Sequence, residues 1–257
     1  MSEIVNYDRQ GAVAVVTMNS PDGMNLLTTQ LSVRLHQVLE QVKNDNSVRV
    51  VVLTGAGRCF SGGADLKGGF DGESAQVKLQ NDYRPILSTV ATMPMPVIAA
   101  VKGSAAGVGM SLALHCDLMI MADDAFLLSP FATISLLPDG GLNWLLVRQL
   151  GYRRAFQLCV ESERIAAQRC VELGLANKAV PADELLGAAV EWAESLSKRA
   201  PLSLAATKKA MRYAMDHDWA STYDTEAQLQ DALFQSKDCA EGIAAFLEKR
   251  PPEFKGE

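Results

Sequence analysis

Paired cysteine spacing is missing from this chain. Its five cysteines, Cys59, Cys116, Cys159, Cys170 and Cys239, are odd in number, and no two stand as Cys-x-x-Cys. That argues against a disulfide framework and against a zinc site. Reduced, mostly packed thiols and no metal are the expectation. A basic excess is missing too. With 24 Lys and Arg against 30 Asp and Glu the net charge is -6, which disfavours the basic stripe that a nucleic-acid partner requires. No apolar run reaches bilayer length, and Met1-Ser2-Glu3-Ile4-Val5-Asn6 has no basic region followed by an apolar stretch. A cytoplasmic protein with no membrane partner follows. Low-complexity segments and linkers are lacking as well. The 257 residues, 48% apolar and 21% charged, can bury a full core at the upper size of one domain.

Phosphate-binding signatures are the last absence. The two glycine-rich turns, Phe60-Ser61-Gly62-Gly63-Ala64-Asp65-Leu66 and Gly103-Ser104-Ala105-Ala106-Gly107-Val108-Gly109-Met110, contain no Gly-x-x-x-x-Gly-Lys-Ser/Thr. Gly107-x-Gly109 lacks the third glycine that a dinucleotide fingerprint would place at Leu112. What the turns do offer is backbone that can approach a ligand closely, because glycine has no Cβ and accepts unusual dihedrals. Two N–H groups converging on one oxygen would make an oxyanion hole. The plainer reading is that the glycines only close tight strand-to-helix connections.

The apolar pattern predicts strands at Ile4 to Asp8 and Val13 to Met18, joined by a hairpin at Arg9-Gln10-Gly11. Leu31, Leu35, Val38, Leu39 and Val42 recur at helical spacing, and Val50 to Thr54 reads as a buried strand. A helix around Gln80 to Ala91, a strand Val97 to Val101, a helix Gly109 to His115 and a strand Leu118 to Met121 continue the alternation. Such alternation implies α/β architecture with mostly parallel pairing. After about Asp183 only helices are predicted: Leu185 to Leu196, Leu202 to Met215, Tyr223 to Phe234 and Cys239 to Leu247.

The glycine turns resemble the enoyl-CoA hydratase/isomerase, or crotonase, family. Phe60 to Leu66 matches Phe-x-x-Gly-Ala-Asp-Leu/Ile, and Lys102 to Asp117 matches Asn-Gly-x-Ala-x-Gly-x-Gly-x-x-Leu-Ala-x-x-Cys-Asp except at its first position. The likeness runs from Pro21-Asp22-Gly23-Met24-Asn25 to the segment Phe246 to Phe254. It implies a crotonase/ClpP-like right-handed spiral of ββα repeats over 1–182 and a helical trimerisation segment over 183–257. It implies an acyl-CoA substrate, with coenzyme A present only as part of the thioester and no further cofactor. The N–H groups of Ala64 and Val108 would polarise the thioester carbonyl. Asp22, Gly23 and Met24 would line the pantetheine path, Gly62 and Ala64 would meet the adenine end and the thioester by backbone, and Lys67 would lie near the nucleotide. Asp22 stands where relatives often carry a basic residue. Phe246 and Lys249 would reach a neighbouring subunit's CoA site in a homotrimer or dimer of trimers.

A hydratase of this family carries two glutamates, and here the matching positions hold Ser111 and Phe131. The water-activating pair is therefore gone. The segment Pro138-Asp139-Gly140-Gly141 is similar to members that shift double bonds, which makes Asp139 the candidate acid/base. Leu136, Leu137, Leu142 and Trp144 would desolvate its carboxylate, with Leu137 and Trp144 also against substrate. A helix-capping role for Asp139 is the alternative. The same alternative applies to Asp65, at the start of a predicted helix. Ser111 and His115, four apart, would share a helix face as a hydrolase dyad would require, but nothing supplies an orienting acid. Isomerisation of an enoyl-CoA through an enolate is the resulting expectation. A hydratase using Asp139 alone, a silent acyl-CoA-binding subunit and an aryl-CoA dehalogenase are the alternatives.

Overall fold

The computed structural model describes residues 3–67 and 74–257. Strands β1 (Val5–Gln10) and β2 (Val13–Met18) form the expected antiparallel hairpin. Helix α1 (Thr29–Lys43) is capped by Thr28, whose hydroxyl accepts from the Leu31 N–H at 3.2 Å. Its apolar stripe, Leu31, Leu35, Val38, Leu39 and Val42, is buried. Strand β3 (Val50–Gly55) is buried at every position, as a parallel strand covered on both faces must be.

The helix expected around Gln80 to Ala91 is broken into three parts: α2 (Ala75–Lys78), a π-helical turn (Leu79–Tyr83) and α3 (Arg84–Thr92). The remaining elements are β4 (Val97–Val101), β5 (Ser104–Ala106), α4 (Val108–His115), β6 (Leu118–Ala122) and β7 (Phe126–Leu128). After them come α5 (Leu142–Leu150), α6 (Tyr152–Glu161), β8 (Ile165–Ala166), α7 (Ala167–Glu172) and β9 (Lys178–Val180). Four helices follow: α8 (Leu185–Ser197), α9 (Pro201–Ala214), α10 (Trp219–Phe234) and α11 (Lys237–Glu248).

Two sheets result, one of six strands in the order β1-β2-β3-β4-β6-β9 and one of three in the order β5-β7-β8. Beyond the hairpin the large sheet is parallel. Successive repeats give one strand to each sheet: β4 then β5, β6 then β7. Ser61, which bridges Ala105 in parallel, extends the small sheet by one residue after β3. This alternation between sheets is the spiral expected of ββα repeats. Phe131, one of the two positions without a glutamate, starts a 3₁₀ turn, Phe131–Ile134, closed by Ser135 in the left-handed region.

The helical end of the chain divides by burial. Helix α8 buries Leu185, Ala189 and Ala193 against the large sheet, whereas α9 and α10 bury no residue. The tail is pinned to its own chain. Asp238 accepts from the N–H groups of Lys255 and Gly256 at 2.7 and 2.8 Å, and Arg49 donates to the Phe254 carbonyl at 3.2 Å. All five cysteines are free thiols, four of them buried. No helix among the described residues is long and apolar enough to cross a membrane.

Candidate active site

The two glycine turns lie side by side, zipped by main-chain bonds. Ser61 N–H donates to the Ser104 carbonyl at 3.1 Å, Ala106 N–H to the Ser61 carbonyl at 3.0 Å and Phe60 N–H to the Lys102 carbonyl at 2.8 Å. Such closeness demands glycine at two places. A Cβ on Gly109 would stand 2.7 Å from the Ser61 Cβ, and one on Gly63, at φ +94°, would stand 2.6 Å from the Ala106 carbonyl oxygen. The N–H groups that leave this junction, those of Ala64 and Val108, donate to no group among the described residues. Val108 opens α4, so its N–H also sits at the positive end of that helix. Two unspent donors on adjoining turns have the form of an oxyanion hole.

The approach to this junction is built by Asn25. The side chain is fully buried at φ +50°, donates to the Ala56 and Cys59 carbonyls, both at 2.9 Å, and accepts from the Ser20 N–H at 3.0 Å. Its own carbonyl accepts from the Ser61 hydroxyl at 2.8 Å. The Gly23–Met24 turn is thereby held against Gly62, whose N–H donates to the Met24 carbonyl at 2.8 Å. Gly23, Met24 and Gly62 are thus brought together. Asp22 holds the turn itself, accepting from the Ser20 hydroxyl at 2.6 Å and the Met24 N–H at 2.9 Å. Arg58 donates to the Asp22 carbonyl at 3.3 Å, so a cation stands over the turn although its own residue is acidic. Lys67 is exposed, and its N–H donates to the Asp65 carboxylate at 3.0 Å. That is a local turn contact, and no helix begins at Asp65 within the described residues, so the helix-capping alternative finds no helix there.

Asp139 does not cap α5. The helix starts after Gly141 with no side-chain cap, and it is the Asp139 main-chain carbonyl that accepts from Leu142 N–H, at 3.1 Å. Ser111 fixes that backbone, its hydroxyl donating to the Asp139 carbonyl at 3.0 Å. The carboxylate is left over: its Oδ1 is buried without a hydrogen-bond partner among the described residues. Burial with no compensating charge pushes the Asp139 pKa up to about 6.

The desolvation has a different source from the one the sequence suggested. Leu136 and Leu137 are exposed, Leu137 to 71%, and Leu142 is in the core. Leu137 lines a separate cavity with Tyr152 and Phe156. Trp144 donates its indole N–H to Asp216 at 3.0 Å and lies 4.7 Å beneath the Arg148 guanidinium. The structure therefore does not gather Leu137 and Trp144 around the carboxylate. The nearby walls come from α3 and α4, where Leu87 and Ser111 press against Gly140. Phe131 lies at the other side, its ring 3.8 Å from the position of a Gly107 Cβ.

The Ser-His dyad is absent. His115 Nδ1 meets the Ser111 main-chain oxygen at 2.8 Å, and the Ser111 hydroxyl is committed to carbonyls. Burial holds the His115 pKa below its ordinary value. Glu163 is exposed in the turn after α6, while His36 meets Thr89 at 3.3 Å and His217 stacks on Tyr213. Phe246 and Lys249 are exposed, far along α11 and at its end. No cluster of three or more His, Cys, Asp or Glu able to hold a metal occurs among the described residues. A cavity of about 390 Å³ opens at Gly140, the residue after Asp139, lined also by Tyr83, Leu87, Ser88, His115 and Gly141 among others. Sequence reasoning missed Tyr83, because a tyrosine on an apparently regular helix gives no signal. Phe131 was visible only as a missing carboxylate.

Unspent main-chain donors beside one desolvated carboxylate make a site for polarising a carbonyl and moving a proton. The chain belongs to the enoyl-CoA hydratase/isomerase family, whose sequence model matches residues 8–257. It is 37% identical over 98% of both chains to a probable enoyl-CoA hydratase of Rhodobacter capsulatus. It is 32% identical over the whole of both chains to the 1,2-epoxyphenylacetyl-CoA isomerase of Escherichia coli. The crystal structure of an enoyl-CoA hydratase from Bacillus anthracis superposes with a TM-score of 0.92 at 33% identity, covering 99% of this chain and all of that one. The fold is the crotonase fold.

Proposed function

We propose that this protein is an enoyl-CoA isomerase, moving the double bond of a 3-enoyl thioester into conjugation with its carbonyl. The observation that carries the reading is Asp139: a single carboxylate, unpartnered and raised to about 6, attached through Ser111 to the turn that presents Val108 N–H. In the proposed reaction the ionised carboxylate takes a proton from the α-carbon. The electron pair of that C–H bond runs into the thioester carbonyl, and the Ala64 and Val108 N–H groups hold the resulting dienolate oxygen. The protonated Asp139 then delivers its proton to the γ-carbon as the electron pair returns, leaving a 2-enoyl thioester and the carboxylate. A pKa near neutrality suits one group that must act first as base and then as acid.

A second reading, hydration of a 2-enoyl thioester by Asp139 alone, is favoured by the hydratase name carried by the Rhodobacter capsulatus and Bacillus anthracis proteins. Against it stand Ser111, whose hydroxyl is spent on carbonyls, and Phe131, whose ring meets Gly107. A panel of 3-enoyl-, 2-enoyl- and aryl-CoA thioesters separates the readings. Conjugated-thioester absorbance appearing from 3-enoyl substrates supports the isomerase, and its loss from 2-enoyl substrates at comparable rate overturns it in favour of the hydratase. The exposed faces of α9 to α11 support assembly as a trimer or dimer of trimers. Phe246, Leu247 and Met211, at 82%, 73% and 68% exposure, form the kind of apolar surface that marks an interface.

A further inference from the structure

Tyr83 holds a polar atom that the fold does not use. The residue is 4% exposed, and its hydroxyl has no hydrogen-bond partner among the described residues. Leaving a buried donor unpaired is unfavourable, and phenylalanine would fill the same space without it. The residue closes the π-helical turn Leu79–Tyr83, a one-residue widening that re-aims side chains and is frequent at functional sites. Leu87, one helical turn later and so on the same face, puts its Cδ1 3.3 Å from the position of a Gly140 Cβ. Tyr83, Leu87 and Gly140 line one cavity. The face carrying Tyr83 therefore abuts the residue that follows Asp139.

The other charged and titratable groups nearby are committed elsewhere. Asp82, on the same turn, accepts from the Thr29 hydroxyl at 2.7 Å and pairs with Lys78 at 3.7 Å. Asp65 accepts from Lys67 N–H. On α4, His115 is bonded to the Ser111 main-chain oxygen, and behind it Arg212 donates to the carbonyl of His115 and to Asp117. The Asp139 Oδ1 is, like the Tyr83 hydroxyl, buried and without a partner among the described residues; of the other such side-chain atoms only the Arg212 Nε belongs to a charged group, and it is a donor that cannot receive a hydroxyl's hydrogen. Burial raises the Tyr83 pKa most, followed by the charges of Asp139, Asp82 and Asp65 in that order. The phenol stays protonated, a donor at any working pH.

We propose that Tyr83 is a positioning residue for Asp139, its hydroxyl donating to the carboxylate when that group is ionised and releasing it when the carboxylate takes up a proton. Catalytic hydrogen bonds often close only in the loaded site. The tyrosine keeps its own proton throughout; the proton that moves travels between substrate carbon and Asp139. The consequence for rate rests on the isomerase reading, whereas the contact itself does not.

The test is Tyr83→Phe with three readouts. First, ¹³C NMR titration of the Asp139 carboxyl, assigned with Asp139→Asn, is expected to move up by about one pH unit, since a donor to a carboxylate favours its charged form. Second, turnover of a 3-enoyl thioester at pH 7 is expected to fall by about tenfold and to recover in part at higher pH as the base ionises. Third, the melting temperature at pH 5, where Asp139 is protonated and the bond is released, is expected to hold or rise. In the unsubstituted protein the Tyr83 ring Cζ resonance should shift with the Asp139 midpoint, a measurement that needs no variant. An unchanged Asp139 midpoint in Tyr83→Phe, or a Tyr83 resonance that ignores the Asp139 titration, overturns the proposal. If the unsubstituted protein turns over no 3-enoyl thioester, the isomerase reading fails while the two NMR titrations still decide the contact.

Discussion

Ser111 donates its hydroxyl to the main-chain oxygen of Asp139 at 3.0 Å. A side chain at one position that family hydratases give to a glutamate thereby holds the backbone of the remaining carboxylate and leaves its acid group unspent. Ser111→Ala should therefore lower isomerase turnover by about tenfold through misplacement of Asp139, the misalignment cost expected of positioning contacts, with little change in acyl-CoA affinity. Equal losses in turnover and affinity would point to a general collapse of the pocket instead.

Asp139→Asn is expected to bind acyl-CoA and to lose about 10²-fold or more in turnover, the usual worth of a placed general base. Unchanged turnover in the purified variant would remove Asp139 from the reaction.

The pH dependence follows from the same group. Because the carboxylate must be ionised to accept a proton, kcat/KM should rise through about pH 6 and level off above it. Stability runs the other way. The folded pKa lies above the ordinary unfolded value, so the native state binds more protons between the two, and stability falls as pH rises through that window. Asp139→Asn removes this penalty. Its melting temperature should exceed that of the unsubstituted protein at pH 8, with a smaller gap at pH 5, and a constant gap across pH would contradict the assigned shift.

If the oxyanion donors are main-chain groups, Val108→Ala should be mild and Ala64→Pro severe, since proline deletes the N–H. Loss of one such donor costs on the order of 3 kcal/mol in the transition state. Gly109→Ala probes the same device by another route, because its Cβ would strike Ser61 at 2.7 Å and force the turns apart. A folded Gly109→Ala with full activity would show that the spacing of the turns is not critical.

Removal of residues from Ser236 onward should weaken both assembly and acyl-CoA binding. Light scattering of the intact chain at micromolar concentration should give a multiple of three, and a fully active monomer would exclude a cross-subunit role for Lys249.

Strands β3, β4 and β6 of the large sheet were legible because burial on both faces leaves apolar runs such as Val50 to Leu53, and the β1–β2 hairpin because alternation and Arg9-Gln10-Gly11 mark its ends. Strands β5, β7, β8 and β9, two or three residues each, are too short to carry a period. The break in the helix before Thr92 had one local sign, Pro85 in the first turn of α3, which cannot donate a main-chain hydrogen bond, but nothing in the pattern marks the widened turn that precedes it. The glycine turns and Asp139 could be read as candidates by resemblance. The source of the desolvation could not, since Leu87 and Ser111 reach Gly140 from 53 and 29 residues earlier in the sequence, a packing no local pattern encodes.

The walled position of Asp139 also bears on the fate of an isotope. A hydrogen held on the Oδ1, the oxygen screened from solvent, would exchange slowly during the brief life of a dienolate. A deuteron lifted from the α-carbon would then reappear at the γ-carbon of the same molecule, on the same face of the chain, rather than being diluted into the medium. The hydrogen would be carried as cargo between two carbons, and the fraction retained would measure how tightly the protein shuts its reacting centre away from bulk liquid.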